Sequence, residues 1–466
     1  MYHSAKEFFD FLIRERKKVA FLGTGVTNHD CIRMFAEKGI DVTLCDRRNA
    51  QQLGEDYEEF SALGVHMKLG DGYLADLDAD ILMRSPGMRF HLPELDEARR
   101  RGAAVTSELE LFFALCPCKI IAVTGSDGKT TTTSLIAEML RTEGKTVHLG
   151  GNIGRALLPC VQSISPEDFA VVELSSFQLI SMRQSPDIAV LTNVAPNHLD
   201  MHKDMQEYID AKRNILLHQD AFSRSVLNLD NEITRAMQAD CRGEVSFFSR
   251  KSPVKDGVYL AQDGTILMAC NGSITPVIHR EDIRIPGIHN VENYLAAISA
   301  VRGLVSFETI RRVAREFPGV EHRIELVRES GGVKWYNDSI ASSPTRTIAG
   351  LNSFQQKVIL IAGGYDKKIP YAPLAPLLVQ KVKTLILMGA TGPKIEAALR
   401  ECPQYQDGAP VILHAQSMEQ AVSLAHQTAH SGDIVTLSPA SASFDLYRNF
   451  EERGRHFKSL VNALQD

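Results

Sequence analysis

The 466-residue chain carries 51 Lys and Arg against 57 Asp and Glu, a formal net charge of −6. That balance argues against a nucleic-acid scaffold, and the length leaves room for two or three domains, each with its own core. No apolar run is long enough to span a bilayer, and the opening MYHSAKEFFDFLIRERKK lacks the apolar core and cleavage site of a signal peptide. The expectation is a cytoplasmic enzyme with no nucleic-acid or membrane partner. Of the eight cysteines only Cys116-Pro-Cys118 are close in sequence, and no second pair completes a zinc site, so reduced thiols are expected.

After an amphipathic opening helix, Lys18–Leu22 reads as a strand running into Gly23-Thr24-Gly25-Val26-Thr27-Asn28. A helix from Cys31 to Lys38 ends at Gly39, and a strand Asp41–Cys45 ends at Asp46. This βαβ unit has two of the three glycines of a dinucleotide fingerprint and an acidic residue about 20 positions on. Asn28 stands where the third glycine belongs. The pattern points less to NAD than to a nucleotide-diphosphate pocket built on the same physics, and a ligand-free half of this kind stays open. Ile81–Arg84 is a second strand end, followed by the sharp turn Ser85-Pro86-Gly87-Met88.

Ile120–Val123 reads as a short buried strand. Thr124-Gly125-Ser126-Asp127-Gly128-Lys129-Thr130-Thr131 follows, then a helix with Leu135, Ile136, Met139 and Leu140 on one face and Gly144 at its end. Strand, glycine loop, Lys-Thr-Thr and helix form an arrangement that holds a nucleoside triphosphate. Backbone N–H groups and the helix N-terminus face the phosphates, Lys129 supplies a point charge, and a threonine hydroxyl reaches Mg²⁺. The generic phosphate loop is not matched, because Val123 occupies its first glycine position.

Asp168–Glu173 reads as a buried parallel strand ending in a carboxylate, where ligands collect in open α/β sheets. That position favours a Mg²⁺ role for Glu173 over a surface charge. Ile188–Thr192 is another strand, leading to Asn193 and on to His198 and Asp200. Lys212 shares an apolar helix face with Ile209, Ile215 and Leu216. Such lysines usually snorkel to water, but a desolvated one has a lowered pKa and a reactive neutral amine. Residues 226 to about 280 are rich in strands and turns, and Ile288-His289-Asn290-Val291-Glu292-Asn293 opens a helix. Beyond the hinge-like Phe317-Pro318-Gly319, strands at Val333–Tyr336, Lys357–Ala362, Val382–Met388 and Ile434–Leu437 alternate with helices, which indicates a doubly wound sheet.

Thr124–Thr131 resembles the T-G-T-N-G-K-[ST]-T loop of the Mur ligases and folylpolyglutamate synthetases, with Asp127 in place of the usual Asn. Ser85-Pro86-Gly87, Glu173-Leu174-Ser175-Ser176-Phe177-Gln178-Leu179 and the segment from Thr192 to Asp200 are similar to further Mur ligase motifs. Ser438-Pro439-Ala440-Ser441-Ala442-Ser443-Phe444-Asp445, with Phe450, Arg453 and Gly454, resembles the signature of the family member that adds D-glutamate. One departure is Ile340, where the family's N-D-S-K-A-T-N has lysine; Arg346 is a candidate to compensate.

The resemblance implies a three-domain α/β enzyme. Its parts are a Rossmann-like domain over residues 1–115, a central ATP-binding domain with a parallel sheet over 116–320, and a C-terminal Rossmann-like domain over 321–466. It implies an ATP-dependent amide ligase of cytoplasmic peptidoglycan precursor synthesis, monomeric, joining D-glutamate to UDP-N-acetylmuramoyl-L-alanine through an acyl phosphate. Thr27, Asp46, Arg47, Gly87 and Asn152 would contact the UDP substrate. Gly125, Ser126, Asp127, Gly128, Lys129, Thr130, Thr131, Asn290, Asn293, Arg323 and Asp338 would bind ATP. Thr130, Glu173, His198 and a carbamylated Lys212 would hold two Mg²⁺ ions, with Lys129, Glu173, His198 and Lys212 the catalytic groups. Lys367, Ser443 and Phe450 would take D-glutamate. The third domain is expected to close on ATP, with Trp335 as a fluorescent reporter. Rival readings are a sister ligase with another amino-acid or acyl substrate, a nicotinamide dehydrogenase, and a non-catalytic homologue.

Overall fold

The computed structural model describes residues 4–196 and 202–465. The chain forms two compact units, Met1–Arg280 with Glu292–Val313, and Glu281–Val291 with Ala314–Asp466. Three sheets run through them, two in the first unit and one in the second.

The first sheet has five parallel strands in the order His66–Leu69, Asp41–Asp46, Lys18–Leu22, Ile81–Arg84, Ala104–Thr106. The strand order reverses between Lys18–Leu22 and Ile81–Arg84, so the loops after these two strands flank a topological switch point, where α/β sheets bind ligands. The opening helix Ala5–Arg14 is capped by the Ser4 hydroxyl, which accepts from the Glu7 N–H at 3.2 Å. It buries Phe8, Phe9 and Leu12 on one face. Phe9 and Phe21 both meet Phe35 edge-on, with ring centroids 5.4 and 5.3 Å apart. Each such ring contributes roughly 1.5–3 kcal/mol by burial.

The central sheet has nine strands: Ser273–His279, Thr265–Cys270, Gly257–Leu260, Glu244–Ser249, Arg224–Asn228, Ile188–Leu191, Lys119–Thr124, Phe169–Glu173 and Val147–Gly151. It is mixed: the expected parallel sheet is extended by an antiparallel rim. Thr265–Cys270 pairs antiparallel with both its neighbours, while the remaining pairs are parallel. The physical reason is local: Asp263-Gly264 joins Gly257–Leu260 to Thr265–Cys270 by a tight turn, with Gly264 at φ +90°, and a short turn can join only antiparallel strands. Phe169–Glu173 is buried at every position, as expected for a strand covered on both faces. Helix Lys129–Thr142 buries Leu135, Ile136, Met139 and Leu140 against the sheet side. It ends at Gly144, whose φ of +87° is a left-handed conformation that glycine adopts without strain.

The second unit holds six strands in the order Glu325–Ser330, Val333–Asn337, Ile434–Leu437, Val358–Ala362, Val382–Leu387, Val411–His414. Only the edge strand Glu325–Ser330 is antiparallel. The last strand in sequence, Ile434–Leu437, inserts between Val333–Asn337 and Val358–Ala362, bringing three strand ends and their loops side by side. Trp335, 1% exposed, packs in this unit's core with Phe457 and His426, each ring centroid 6.4 Å away. Among the described residues no helix is long and apolar enough to cross a membrane.

Candidate active site

At the first switch point, the side chain in place of the third glycine works as a pin. Asn28 is fully buried, and its Nδ2 donates to the Gly23 carbonyl at 2.9 Å and to Ser85 Oγ at 3.1 Å. Gly23 lies at φ +88°, and a Cβ there would come 2.9 Å from Ser85 Oγ. The two loops are therefore locked to each other at their roots. Asp46 accepts from the Thr24 N–H at 3.1 Å and from Arg48 through its backbone N–H (2.9 Å), Nε (3.1 Å) and Nη2 (3.0 Å). Burial works against its charge, but these donors outweigh it and hold the Asp46 carboxyl below its ordinary range.

Arg48, which the sequence reading did not name, joins this cluster beside the expected Arg47. Side chains alternate as the strand runs out, so Arg47 points away and is exposed while Arg48 returns to the side of Asp46 and also meets Thr24 Oγ1. Thr27 is half-buried in the first turn of helix Val26–Glu37, and Gly87 is exposed in the Ser85–Met88 turn.

In the phosphate loop, Gly125 and Gly128 adopt φ of +155° and +79°. Gly128 caps helix Lys129–Thr142, and a Cβ at Gly128 would overlap the Asn293 amide. The loop is pinned from the neighbouring strand end. Ser126 N–H donates to the Asn193 carbonyl (2.9 Å), Asp127 N–H to Asn193 Oδ1 (3.0 Å), and Thr192 Oγ1 to the Asp127 carbonyl (2.6 Å). Asp127 is exposed and engages the loop through its backbone, so Asp in place of Asn leaves this scaffold intact. Ser126 Oγ lies 2.9 Å from both the Ala195 carbonyl and Tyr208 Oη. Lys129 folds back so that Nζ donates to the carbonyls of Gly125 and Ser126, each at 3.0 Å. Thr130 is half-buried, Thr131 is buried, and Thr132 Oγ1 donates to Asn293 Oδ1 at 3.3 Å.

Glu173 ends its strand 1% exposed. Its Oε1 accepts from Asn152 Nδ2 at 2.8 Å, and its buried Oε2 has no hydrogen-bond partner. A buried carboxylate oxygen without a donor is costly, and at a strand end beside a phosphate loop it fits a hard divalent cation. Lys212, also 1% exposed, donates from Nζ to the Gly125 carbonyl at 2.8 Å and to Thr124 Oγ1 at 3.3 Å, with Nζ 4.7 Å from the Tyr208 ring centroid. Burial pushes its pKa far below the ordinary lysine value, and the nearby charge of Lys129 acts in the same direction. The desolvated-amine reading thus prevails over snorkelling. His198 lies outside the described residues.

His202, which the sequence reading passed over, is 4% exposed and stacks on Phe177, with ring centroids 5.1 Å apart. Its Nε2 lies 2.9 Å from Ser176 Oγ, so it braces the segment just after Glu173. Among the described residues no three His, Cys, Asp or Glu side chains cluster as a metal site. The candidate donors among the described residues are Glu173 and the Thr130 hydroxyl, with Lys212 nearby on the Gly125 carbonyl.

In the second unit, Asp338 follows strand Val333–Asn337 and is 4% exposed, accepting from Ser438 Oγ at 2.7 Å and from the Ile324 N–H at 3.3 Å. Burial pushes its pKa up to about 7, against Ser438 and the charge of half-buried Arg323. Asn290 donates to the Pro286 carbonyl at 2.6 Å, whereas Asn293 belongs to the first unit and supports Gly128. Lys367 is exposed, with Nζ 5.8 Å from the Phe444 ring centroid. Ser443 is 3% exposed, and Phe450 opens helix Phe450–Asn462 with its ring edge-on to His322 at 5.9 Å.

Arg453 holds this region together although no role is assigned to it from sequence. It is 2% exposed and donates to Ser339 Oγ (3.0 Å) and to the carbonyls of Ser339 (2.9 Å), Ser441 (3.1 Å) and Ala442 (3.0 Å). Its signal was its place beside Gly454 in the signature; a Cβ at Gly454 would overlap His322. Arg346 donates to the Ile340 carbonyl at 3.2 Å, which ties down the turn where the lysine is missing.

Three family models match the chain in order: the Mur ligase MurD-like N-terminal domain over residues 17–107, the Mur ligase middle domain over 123–301, and the Mur ligase glutamate ligase domain over 322–441. The chain is 52% identical to a UDP-N-acetylmuramoylalanine–D-glutamate ligase of Acetivibrio thermocellus, over 97% of each chain. It is 49% identical to the protein of the same name from Ruminiclostridium cellulolyticum, again over 97% of each. Its fold is similar to that of the UDP-N-acetylmuramate–alanine ligase of Thermotoga maritima, with a TM-score of 0.58, 18% identity, and 96% of this chain and 99% of that one covered. With its three domains in this order and its phosphate loop, buried lysine and strand-end glutamate assembled in one unit, the chain belongs to the Mur ligase family.

Proposed function

We propose that the chain is an ATP-dependent amide ligase that joins the amine of D-glutamate to the L-alanine carboxylate of UDP-N-acetylmuramoyl-L-alanine. The observation that carries this reading is the segment Ser438–Gly454, gathered round Arg453 in a chain whose relatives at 52% and 49% identity bear that activity in their names. The working division of the chain is 1–115 for the UDP substrate, 116–320 for ATP and 321–466 for the amino acid. The enzyme would act as a monomer in the cytoplasm.

A carboxylate is a poor acyl donor, so the γ-phosphoryl group passes from the ADP oxygen to a carboxylate oxygen of L-alanine, giving an acyl phosphate. The D-glutamate nitrogen then attacks the carbonyl carbon, and inorganic phosphate leaves as the amine loses its proton. Lys129, held on two carbonyls of its own loop, moves onto the phosphates and meets the charge that develops there. Backbone N–H groups at the start of helix Lys129–Thr142, whose N-cap Gly128 makes no side-chain cap, orient the triphosphate. Mg²⁺, when bound, neutralises phosphate charge and orients the transferring group. Thr130, Glu173 and Lys212 would hold it, with His198 completing the set for two ions. Neutral Lys212 takes up CO₂ as a carbamate, which turns a buried donor into an anionic ligand. Asp46 and Arg48 hold the uridine end of the substrate, beside Thr27 and Gly87. Lys367 pairs with a carboxylate of D-glutamate, while Ser443 and Phe450 seat its backbone end.

The test is phosphate release with ATP, Mg²⁺ and UDP-N-acetylmuramoyl-L-alanine, offering D-glutamate, L-glutamate and other amino acids separately. Release and adduct formation with D-glutamate alone is the expected result. Turnover with a different amino acid would move the specificity and point to Ile340, and no turnover with any would overturn the reading.

A further inference from the structure

Arg84 ends the strand Ile81–Arg84 with its side chain 1% exposed. Its Nη1 donates to the carbonyls of Ser85 (3.3 Å), Pro86 (3.4 Å) and Met88 (2.6 Å). Its Nη2 donates to the Phe177 carbonyl (3.1 Å) and to Ser181 Oγ (3.2 Å). Ser181 in turn donates to Glu110 Oε1, which also accepts from Ser107 Oγ at 3.1 Å. One nitrogen is thus wrapped by the turn that carries Gly87, and the other grips the segment that follows Glu173.

Adhesion alone does not call for a guanidinium here. Burying a charge costs several kcal/mol, and an apolar side chain of similar volume often serves as well or better. What the planar fork adds is geometry, because its two nitrogens hold two backbone segments at a set distance and angle. The segments it holds are far apart in sequence and both belong to the first unit. Ser176, on the gripped side, is also braced by His202, so displacement of one end has few ways to dissipate before it reaches Glu173.

We propose that Arg84 is a positioning residue that ties the Ser85–Met88 turn to the segment Phe177–Ser181 behind Glu173, so that seating the nucleotide-sugar substrate sets the geometry of the metal-side carboxylate. This rests on the assignment, made above, of Gly87 to that substrate and of Glu173 to Mg²⁺.

The test compares wild type with Arg84→Met, Arg84→Lys and Ser181→Ala by steady-state kinetics, by calorimetric binding of UDP-N-acetylmuramoyl-L-alanine, and by thermal melting. Arg84→Met is expected to raise KM for the nucleotide sugar and lower kcat, each by about tenfold or more. Lysine reaches the turn's carbonyls as a single point charge but cannot span both segments, so Arg84→Lys recovers KM while kcat stays low. Ser181→Ala leaves the turn untouched and lowers kcat by roughly threefold or more with KM unchanged. Wild-type kcat and KM in both Arg84→Lys and Ser181→Ala would overturn the inference. So would losses in all three that follow the fall in melting temperature, with kcat and KM of the folded fraction intact. A wild-type protein that does not bind UDP-N-acetylmuramoyl-L-alanine overturns the substrate assignment and the inference with it, and that failure is seen before any variant is made.

Discussion

The Lys212 Nζ donates to the Gly125 carbonyl across 2.8 Å, so the desolvated lysine and the phosphate loop share one hydrogen bond. Lys129 donates to the same carbonyl at 3.0 Å. Burial and the charge of Lys129 lower the Lys212 pKa, while the charges of Glu173 and Asp127 oppose that lowering. Converting the neutral Lys212 amine to a carbamate replaces a buried donor with an anion beside the charge of Lys129. With ¹³C-labelled bicarbonate, wild type should show a carbamate resonance and Lys212→Arg none. kcat in Lys212→Arg should fall by roughly a hundredfold or more, the scale of losing a group that stabilises transferring charge. A variant with the wild-type rate would remove Lys212 from the mechanism.

The phosphate loop yields a second pair of tests. Gly128 sits at φ +79° with the Asn293 amide where a Cβ would go, so Gly128→Ala meets both backbone strain and overlap. It should cost about 1–3 kcal/mol of stability and raise KM for ATP at least about tenfold. Lys129→Ala should lose kcat while the fold is kept, since the side chain is half-buried and donates to carbonyls of its own loop. Product formation by Lys129→Ala at near the wild-type rate would sink the phosphate-loop assignment.

Gly128 and Lys129 were legible because they sit in a contiguous motif that follows a strand end, where type and spacing declare the chemistry, and Lys212 because it is a charge on an apolar helix face. What escaped was decided by contacts between distant residues or by side-chain direction. Arg84 reaches Phe177 across 93 positions, and nothing near Arg84 in sequence announces that partner. Arg48 adjoins the expected Arg47, and only the alternation of side chains past the strand end brings it to Asp46. Asn290 and Asn293 read as a pair, yet the helix that carries them, Ile288–Ala300, has its first residues in one unit and the rest in the other. The antiparallel rim of the central sheet depended on the turn at Gly264, in a stretch whose strands were expected but whose direction was not. Trp335 is buried beside Phe457 and His426, so any nucleotide response of its fluorescence has to be indirect.

Arg453 predicts a selective effect on the amino acid. Four hydrogen bonds to Ser339, Ser441 and Ala442 shape the loop that presents Ser443, and burial lowers its pKa to about 10. Lysine cannot reproduce the forked donation. Arg453→Lys should therefore raise KM for D-glutamate by about tenfold or more while KM for ATP changes less than about threefold. Equal changes in both would assign Arg453 to general stability.

Glu108 gives a pH signature independent of catalysis. It is 3% exposed, its Oε1 accepts from the N–H groups of Leu157 (2.7 Å) and Leu158 (2.8 Å), and its Oε2 has no hydrogen-bond partner. Burial pushes its pKa from 4.5 up to about 7, against those two backbone donors. The folded chain therefore keeps a proton between pH 4.5 and 7 that the unfolded chain has released. Stability from this group is complete below 4.5 and is lost as pH rises to about 7. The displacement corresponds to at most about 3 kcal/mol. Asp338, also raised to about 7, titrates in the same window, so the pH curve of the wild type alone cannot assign the effect. Glu108→Gln keeps an acceptor for both N–H groups and carries no charge at any pH, and the Asp338 contribution cancels in the comparison. The urea midpoint of Glu108→Gln relative to wild type should therefore rise from pH 5 to pH 8; a difference that stays constant would show that Glu108 does not titrate in this range.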